Sequence, residues 1–355
     1  IVTASHNPIE WNGIKFLRPD STFFHPEDCE KLFDLADQNI DIDDSSEPGI
    51  VWPEQNAIQK HIISCVSMSC IDLNRIQKRK FKIVIDSVNG AGSNALPSLL
   101  ESLGCEVFEL YCEPDGNFAR GTEPLPENLK DLGEKVLKYG ADAGFAIDPD
   151  ADRLAIVNEM GEPLGEEYTL VIAADGYLKD TGRKEKFVIN LSTSQALEKL
   201  AELYNSSVTR SAVGEINVVN KMIELNSELG GEGNGGVILR ECHLGRDSMV
   251  GATMVLNRMS ISDSPISEIH SSLPRFEIVK DKIDIEGIDI ESVIESVSSL
   301  FDDAAIDDID GIKFTWEDRW VHLRKSNTEP IMRIYAEAPN QDQARKLINQ
   351  IKNIL

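Results

Sequence analysis

The segment Phe81-Lys82-Ile83-Val84-Ile85-Asp86 is an apolar run of strand length, and the tight turn Asn89-Gly90-Ala91-Gly92 follows it. A helix is predicted from Ser93 to Leu103, and Gly104 then precedes a second strand, from Glu106 to Leu110. A strand, a helix and another strand, separated by glycine stops, are typical of a parallel α/β layer. The turn lacks the G-x-G-x-x-G spacing of a dinucleotide-binding loop, so no dinucleotide is predicted.

The same pattern occurs a second time further along the chain. A strand is predicted at Phe187 to Leu191, a helix at Ser194 to Tyr204, and another strand at Ser207 to Arg210. Two units with similar internal spacing indicate duplicated α/β domains.

The last part of the chain has a different character. Ser260 to Pro265 is linker-like, and a strand pair is then predicted to flank Lys313 to Val321. A further element at Ile331 to Ala336 and a closing helix from Gln341 to Leu355 complete this part. The mixture of strands with two helices predicts a small α+β domain, separate from the α/β layers.

The part that precedes the first α/β unit reads as helices and connections. A turn and a short apolar strand are predicted at Trp11 to Leu17, and a helix around Pro26 to Phe33. An acidic surface connection covers Asp41 to Glu54, a second helix runs from about Glu54 to Leu73, and Arg75 to Lys82 is a basic, polar linker. The predicted domain limits are 1–75, 76–180, 181–262 and 263–355.

Composition excludes several classes of protein. The chain has 355 residues, and its 61 acidic against 35 basic side chains give a formal charge of −26. Such a charge repels nucleic acid and anionic membranes, so neither is an expected partner. No apolar run is long enough to span a bilayer, and no signal peptide is present. The chain opens in mid-strand without a methionine, which we interpret as a first domain that lacks its beginning.

The cysteines point to a reducing compartment. They form no C-x-x-C pair and no Cys/His metal spacing, so reduced, mostly buried thiols in a cytoplasmic protein are expected. The six positions are Cys29, Cys65, Cys70, Cys105, Cys112 and Cys242. The histidines other than His6 fall in no triad or metal spacing and are interpreted as structural: His25, His61, His243, His270 and His322.

The first polar loop with possible chemistry is Thr3-Ala4-Ser5-His6-Asn7-Pro8. It follows apolar Ile1 and Val2, which reads as a buried strand that breaks into a turn, with the proline fixing the exit. An exposed serine held rigidly beside an imidazole suits a nucleophile or a covalent phosphate carrier. Lys15 falls close enough to return to the same pocket as a candidate proton-transfer group, although a solvated strand lysine is an equally good interpretation of the local sequence. An ordinary Ser/Asn turn is the favoured interpretation of the six letters alone.

The second loop is Asp148-Pro149-Asp150-Ala151-Asp152-Arg153, between two apolar strands. Three carboxylates at alternate positions of a turn repel one another unless a cation joins them. Oxygen ligands favour a hard divalent ion, above all Mg²⁺. Arg153 could meet a substrate phosphate in bidentate fashion.

The third loop is glycine-rich and reads Gly230-Gly231-Glu232-Gly233-Asn234-Gly235-Gly236, with Arg246-Asp247 soon after. The glycines allow the backbone to approach a ligand closely, and Glu232 and Asn234 can accept from and donate to vicinal hydroxyls. A plain flexible loop is the alternative, and the position between apolar segments favours a sugar site.

The fourth loop is Arg324-Lys325-Ser326-Asn327-Thr328-Glu329-Pro330, with Arg333 after it. Two guanidiniums, hydroxyl and amide donors and backbone amides fit a phosphate dianion. In so acidic a chain, such a local basic and hydroxylic cluster predicts a phosphate site.

The four loops, in this order, resemble those of the α-D-phosphohexomutase superfamily, and the resemblance covers nearly the whole chain. The glycine loop differs from the Glu-x-Ser-Gly-His form of many bacterial members, because the histidine is missing. It is more similar to the archaeal-type phosphoglucosamine mutase and phosphomannomutase branch, as is Val213 to Val219. The resemblance implies an α/β fold: duplicated mixed α/β-layer domains around a cleft, with the first truncated here, plus a smaller C-terminal α+β domain.

The resemblance also implies roles for single residues. Ser5 would carry the phosphate, and Asp148, Asp150 and Asp152 would hold Mg²⁺ against it. His6 and Lys15 would assist proton transfer, and Arg153 would orient the substrate. Contacts to the sugar and to the non-reacting phosphate would come from Glu232, Asn234, Arg246, Arg324, Ser326, Asn327, Thr328 and Arg333.

The function expected on this basis is the interconversion of glucosamine 6-phosphate and glucosamine 1-phosphate through phosphoserine, with a hexose 1,6-bisphosphate as activator. A phosphomannomutase or phosphoglucomutase is the alternative within the class. A sugar-phosphate binding protein without turnover and a metal-dependent phosphatase are alternatives from other classes. The expected partner is a phosphorylated hexose or hexosamine, and the expected state is a monomer or a homodimer.

Overall fold

The computed structural model describes residues 1–38, 49–287, 289–326 and 330–354. The first of these ranges has little regular structure apart from helix α1, Pro26–Asp37. Ile1 and Val2 are 62% and 80% exposed, so the predicted buried strand before Ser5 is wrong. No element among the described residues covers these two side chains, and Val2 makes a single bridge to Ile14. The short strand expected at Trp11 to Leu17 is likewise reduced to isolated bridges.

Two helices lead into the first sheet where one helix and a linker were predicted. They are α2, Ala57–Val66, and α3, Leu73–Arg79. Helix α2 ends at Val66, with Ser67 as its C-cap. The amide of Ser69 donates to the carboxylate of Glu241 instead of continuing the helix. Asp72 then caps α3 by accepting from the amide of Arg75, so the supposed linker is helical. The acidic connection predicted from Asp41 lies mostly outside the described residues.

The first α/β unit has four strands and two helices. The sheet order is β2-β1-β3-β4, with β1 parallel to both neighbours and β4 antiparallel to β3. Every residue of the central strand β3 and of the edge strand β4 is buried, so both strands are covered on both faces. The elements are β1 (Lys82–Asp86), α4 (Ala95–Ser102), β2 (Glu106–Leu110), α5 (Lys130–Tyr139), β3 (Ala143–Ile147) and β4 (Leu154–Asn158).

The second unit repeats this topology, so the predicted duplication is confirmed. Its sheet order, β6-β5-β7-β8, has two parallel pairings and the same final antiparallel hairpin. The elements that precede and form it are α6 (Tyr168–Thr181), β5 (Lys186–Asn190), α7 (Ala196–Leu203), β6 (Ser207–Ser211), α8 (Glu215–Leu225), β7 (Leu229–Glu232) and β8 (Gly236–Leu239).

Two central helices join the repeated units. Helix α9, Ser248–Ser260, is buried along its whole length and packs against α6, in one core with side chains of both sheets. A buried ion pair between Arg258 and Asp175 links the two helices. Helix α10, Ile266–Ser271, places Ile266 and Ile269 in the same core, although the predicted last domain begins at residue 263.

The C-terminal unit is a five-stranded antiparallel sheet with two helices, as predicted in kind. Its order is β10-β11-β12-β13-β9, and its apolar core is separate from the large one. The buried Lys313 ammonium donates to the carbonyl of Leu191, and Asp310 accepts from the amide of Val213, so polar contacts dock this unit on the second. The elements are β9 (Glu277–Asp284), α11 (Ile290–Leu300), β10 (Ala305–Asp307), β11 (Ile312–Thr315), β12 (Trp320–Lys325), β13 (Ile331–Ala338) and α12 (Gln341–Lys352). None of the helices in the described ranges combines the length and apolar character that a bilayer-spanning segment requires.

Candidate active site

Three of the four polar loops each connect two neighbouring antiparallel strands. The aspartate loop joins β3 to β4, the glycine loop joins β7 to β8, and the Arg324 loop joins β12 to β13. The first two hairpins touch directly, because the amide of Leu154 donates to the carbonyl of Gly235 across 3.0 Å. Gly235 has φ +89°, and a Cβ there would lie 2.4 Å from the Leu154 carbonyl oxygen, so only glycine fits this contact.

One cleft of about 1040 Å³ is lined by predicted residues from each of the four loops, but Asp148, Asp150 and Asp152 are not among its lining residues. The predicted residues that line it are Ser5, His6, Lys15, Arg153, Glu232, Asn234, Arg246, Arg324 and Arg333. Ser326 directly follows β12, and its amide donates to the carbonyl of Ile331. Asn327 and Thr328 fall outside the described residues.

The serine loop holds Ser5 in an unusual backbone conformation. Its φ is +53°, in the left-handed region that non-glycine residues enter only when local contacts compensate. The Ser5 amide donates to the Thr3 hydroxyl at 2.8 Å, and the Asn7 amide and side chain both donate to the carbonyl of Ala4. These contacts present the Ser5 hydroxyl to the cleft, 3.2 Å from His6 Nδ1.

The imidazole of His6 is set as an acceptor on its Nδ1 side. Arg153 Nη2 lies 3.0 Å from Nδ1, and a guanidinium can only donate, so Nδ1 carries no proton. Burial lowers the pKa of His6, and the Arg153 charge lowers it further. Arg153 is held in turn by Glu123, whose carboxylate accepts from Nη1 at 2.9 Å. The unprotonated Nδ1 of His6 therefore faces both the Arg153 guanidinium and the Ser5 hydroxyl.

The aspartate loop holds three carboxylates that lack the partners they need. Ligand oxygens of Asp148, Asp150 and Asp152 lie within 4.8 Å of one another. Asp148 is fully buried, and one oxygen of each residue is buried without a hydrogen-bond partner among the described residues. Burial raises the pKa of Asp148 well above its usual value, and the charges of Asp152 and Asp150 add to this. Three clustered carboxylates, each with one such oxygen, fit a hard divalent cation of the Mg²⁺ class. Arg153 Nε lies 3.5 Å from Asp148 Oδ2 and 3.6 Å from Asp152 Oδ1 at the same place.

Lys15 and Thr3 connect the serine loop to the aspartate loop. Asp150 Oδ2 accepts from Lys15 Nζ at 2.9 Å and from the Thr3 hydroxyl at 3.0 Å. Burial opposes ionisation of Asp150, but the Lys15 charge and these hydrogen bonds outweigh it, so the pKa of Asp150 is lowered. The same Thr3 oxygen accepts from the Ser5 amide. Ser5 and the carboxylate cluster are thereby held in one arrangement.

Arg246 lies in the wall of the cleft that carries the glycine loop. Its Nη1 is 2.6 Å from Glu232 Oε2, and Glu232 is only 4% exposed. The other oxygen of Glu232 accepts from Asn190 at 2.7 Å and from the amide of Gly214 at 3.1 Å. Burial opposes ionisation of Glu232, and the Arg246 charge more than offsets this, so its pKa is lowered. Glu232 is therefore an anion in a rigid setting, with Asn234 beside it.

A basic row on the C-terminal sheet forms the opposite wall. Arg324 of β12 pairs in register with Arg333 of β13, which pairs in register with Lys282 of β9. Asp310 accepts from Arg324 Nε, while Arg333 has no ion pair among the described residues. Like charges opposite one another on neighbouring strands repel, so an anion such as phosphate would stabilise the row.

Several cleft residues were not singled out from the sequence. Glu123 and Asp310 orient arginines, and nothing in the adjacent sequence distinguishes them from surface acids. Lys282 needed the register of three strands. Glu215, which accepts from the Arg246 amide at 2.8 Å, lies in the Val213 to Val219 segment already noted, so a signal existed for it.

Comparison with known proteins agrees with the site. The fold and the four loops define an α-D-phosphohexomutase. The phosphoglucomutase/phosphomannomutase models match in succession: alpha/beta/alpha domain I at residues 1–42, domain II at 59–161, domain III at 165–276 and the C-terminal domain at 279–354. The chain belongs to the phosphoglucomutase/phosphomannomutase family and is a mutase that moves phosphate within a phosphorylated sugar.

Archaeal relatives are named either for neutral hexose phosphates or for amino-sugar phosphates. A phosphoglucomutase/phosphomannomutase of Thermococcus kodakarensis is 36% identical over 98% of this chain and 76% of its own length. A phosphoglucosamine mutase of Methanococcus aeolicus is 30% identical over 99% of this chain and 79% of its own. A phosphoglucosamine/phosphogalactosamine mutase of Sulfurisphaera tokodaii is 29% identical over 100% of this chain and 79% of its own.

Solved structures share the fold. A phosphoglucomutase/phosphomannomutase family protein from Burkholderia thailandensis superposes with a TM-score of 0.81 at 24% identity, covering 99% of this chain and 74% of that one. An Aspergillus fumigatus N-acetylphosphoglucosamine mutase, solved with GlcNAc-6P and magnesium, gives 0.64 at 15% identity, covering 99% and 87%. The predicted fold class is confirmed by these matches.

Proposed function

We propose that this chain is a Mg²⁺-dependent phosphohexomutase that interconverts glucosamine 6-phosphate and glucosamine 1-phosphate. The observation that carries the proposal is that Ser5 and the basic row line one cleft, with Glu232 and Asn234 also in its wall. A site with a transfer centre, a distant phosphate anchor and a sugar grip suits a reaction in which either phosphate can occupy either place.

The amino sugar is favoured by two considerations. Several of the archaeal relatives are named phosphoglucosamine mutases. The cleft also carries the carboxylates of Glu123 and Glu215 close to its cationic groups. A glucosamine phosphate brings an ammonium that neutral hexoses lack, and buried or half-buried carboxylates attract it.

In the proposed reaction, Ser5 carries the phosphoryl group. A free hydroxyl of the sugar attacks phosphorus, the new sugar O–P bond forms, and the Ser5 Oγ–P bond breaks. The sugar hydroxyl loses its proton and Ser5 Oγ regains one. His6, whose Nδ1 lies 3.2 Å from the Ser5 hydroxyl, and Lys15, which lines the same cleft, would assist these proton transfers. The bisphosphorylated sugar then turns over and returns its other phosphate to Ser5.

Asp148, Asp150 and Asp152 would hold Mg²⁺, as their orphaned oxygens indicate. When bound, Mg²⁺ supplies positive charge that stabilises the phosphoryl group in transfer. Arg153, which is held by Glu123 and contacts His6 Nδ1, would orient the phosphorylated substrate.

The remaining residues bind the parts of the substrate that do not react. Glu232 and Asn234 would contact sugar hydroxyls, and Arg246 positions Glu232. Arg324 and Arg333, with Ser326 and the predicted Asn327 and Thr328, would hold the second phosphate. A hexose 1,6-bisphosphate would serve as activator because it can load Ser5.

A phosphomannomutase/phosphoglucomutase is the second candidate. The name of the 36% identical Thermococcus kodakarensis relative favours it. The two candidate functions would use every residue discussed above. Their substrates differ only at carbon 2 of the sugar.

The test combines protein chemistry with a substrate panel. Intact mass and peptide mapping of the purified chain, before and after glucose 1,6-bisphosphate with Mg²⁺, should show one phosphate on Ser5. Values of kcat/KM for glucosamine, mannose and glucose phosphates should then be highest for glucosamine. A preference for mannose or glucose phosphate would replace the substrate but keep the class, whereas a Ser5 that never takes phosphate would contradict the mechanism.

A further inference from the structure

A second group of metal-ligating side chains lies where α2 meets the segment between β8 and α9. His61 and Cys65 are four residues apart in α2, so they project from the same face of that helix. Cys242 and His243 follow β8, and Asp247 is the N-cap of α9. None of these five side chains lines the cleft.

The distances in this group resemble those of a metal site. The ligand atoms of His61, Cys65 and Cys242 all lie within 4.8 Å of one another, and His61 Nε2 is 3.7 Å from Cys65 Sγ. Tetrahedral zinc with sulfur and nitrogen ligands holds its ligand atoms roughly 3.3–3.8 Å apart, as bond lengths of about 2.3 and 2.0 Å require. A small decrease in the distances between the three ligand atoms would therefore give the spacing of three ligands in a tetrahedral zinc shell.

His61 also connects this trio to a supporting carboxylate. Asp247 Oδ2 lies 2.6 Å from His61 Nε2 and 2.8 Å from His243 Nε2. The other oxygen of Asp247 accepts from the amides of Met249 and Val250, so the carboxylate is fixed by the helix that it caps. Because His61 Nε2 faces both Cys65 Sγ and Asp247 Oδ2, an ion bound to this nitrogen would replace its hydrogen bond to Asp247 and would have the carboxylate beside its fourth position.

We propose that His61, Cys65 and Cys242 form a structural Zn²⁺ site, with the fourth position on the side of Asp247 and His243. Two sulfurs and an imidazole select a borderline-soft ion such as Zn²⁺ over the Mg²⁺ that suits the aspartate loop. Binding displaces the thiol protons to solvent and leaves His243 to donate to Asp247. The sequence analysis missed the site because its cysteines come from two distant segments.

The site would tie α2 to the segment that carries Arg246. Asp247 directly follows Arg246, whose guanidinium is held by Glu232, Glu215 and Asp152. A metal that fixes α2 against Cys242 also fixes the backbone on which Arg246 stands. We therefore expect zinc to stabilise the fold without taking part in phosphate transfer.

The first test measures metal in the whole chain, with Mg²⁺ in excess so that the aspartate loop is saturated. Protein purified without chelator should contain one equivalent of zinc by elemental analysis. Replacement by Co²⁺ should produce a thiolate-to-cobalt charge-transfer band, which oxygen ligands do not give. Cys65→Ser and Cys242→Ser should each lose the band and bind zinc at least about tenfold more weakly. Cys70→Ser, which changes a buried cysteine just beyond α2, should keep both properties.

The outcomes are distinguishable. Absence of stoichiometric zinc together with failure to take up Co²⁺ would overturn the site, as would equal binding by Cys242→Ser and wild type. A Cys65–Cys242 disulfide in the protein as purified, detected as two missing thiols among the six after unfolding, would also overturn it. Should Cys65→Ser fail to fold, Cys242→Ser and His61→Asn carry the test, because both residues are partly exposed.

Discussion

Arg246 donates to Asp152 across 2.6 Å and so joins the aspartate loop of one α/β unit to the glycine loop of the next. Its other nitrogens donate to Glu232 and Glu215, and all four side chains are largely buried. One guanidinium shared by three carboxylates therefore links the two repeated units, in addition to the Leu154–Gly235 hydrogen bond and the shared apolar core. This arrangement explains how two loops with separate tasks keep a fixed distance during the reaction.

Replacement of Arg246 by methionine should destabilise the protein by roughly 3–5 kcal/mol, because it leaves buried carboxylates without their counter-charge. Urea unfolding measures this effect. Arg319→Met is the matched control, since the pair of Arg319 with Asp318 is at the surface and should matter by less than about 1 kcal/mol. Equal effects of the two substitutions would show that the buried network contributes no special stability.

Replacement of Ser5 by alanine should lower kcat roughly a thousandfold or more, because it removes the hydroxyl proposed to carry the phosphate. Turnover of glucosamine phosphates with bisphosphate present is the measurement. Ser192→Ala is the control, as Ser192 also lines the cleft but contacts His322 instead of the serine loop. Unchanged turnover in Ser5→Ala with an intact fold would contradict the phosphoserine mechanism.

Removal of divalent metal with a chelator should abolish turnover, and Mg²⁺ should restore it. Mg²⁺ at about one hundred times its Kd should stabilise the wild type by roughly 2–3 kcal/mol, since it relieves repulsion among buried carboxylates. Asp150→Asn should reduce this gain, whereas Asp318→Asn at the surface should not. Stabilisation by Mg²⁺ that is identical in Asp150→Asn would place the ion elsewhere.

Replacement of Arg333 by methionine should raise KM about tenfold or more, because it removes a guanidinium that has no ion pair among the described residues and is proposed to bind the distal phosphate. Phosphorylation of Ser5 by the bisphosphate should be less affected than KM. Arg345→Met, on helix α12 away from the cleft, is the control. A fall in kcat with KM unchanged would move Arg333 from the anchor to the transfer step.

His270 should make the protein less stable in acid. Burial, with the charge of Arg275, lowers the pKa of His270 to about 4. A histidine with a lowered folded-state pKa stabilises the fold above its unfolded pKa, near 6.5, and this contribution is lost as pH falls toward 4. The loss attributable to His270 should approach roughly 3 kcal/mol.

Urea unfolding of the wild type and of His270→Phe across this pH range isolates the effect. Phenylalanine keeps the packing against Tyr168, whose ring centroid lies 4.3 Å from that of His270. The free-energy difference between the two proteins should therefore change between pH 6.5 and 4. A constant difference would mean that His270 has the same pKa in the folded and unfolded chain.

Local sequence determined much of the architecture. Apolar runs predicted β1 and β5 within one residue, because buried central strands need continuous apolar side chains whatever surrounds them. The edge strand β2 was predicted with the bounds that it has in the structure. The four polar loops were also recognisable, since carboxylate, glycine and arginine clusters between strands have few structural uses. The helix predicted through Ser67 failed because a distant carboxylate, that of Glu241, captured the amide of Ser69.

Only the tertiary structure decided which side chains meet. The loops of the two hairpins touch because the repeated units pack through α6 and α9, and this brings Arg246 to Asp152. The basic row needs the register of three strands, and the group of His61, Cys65 and Cys242 needs a helix to dock on a turn far along the chain. Local propensity depends on neighbours in sequence, whereas such contacts depend on long-range packing that no short segment encodes. The sequence by itself therefore determined the elements and the chemical character of the loops, and packing alone decided how they are assembled into one site.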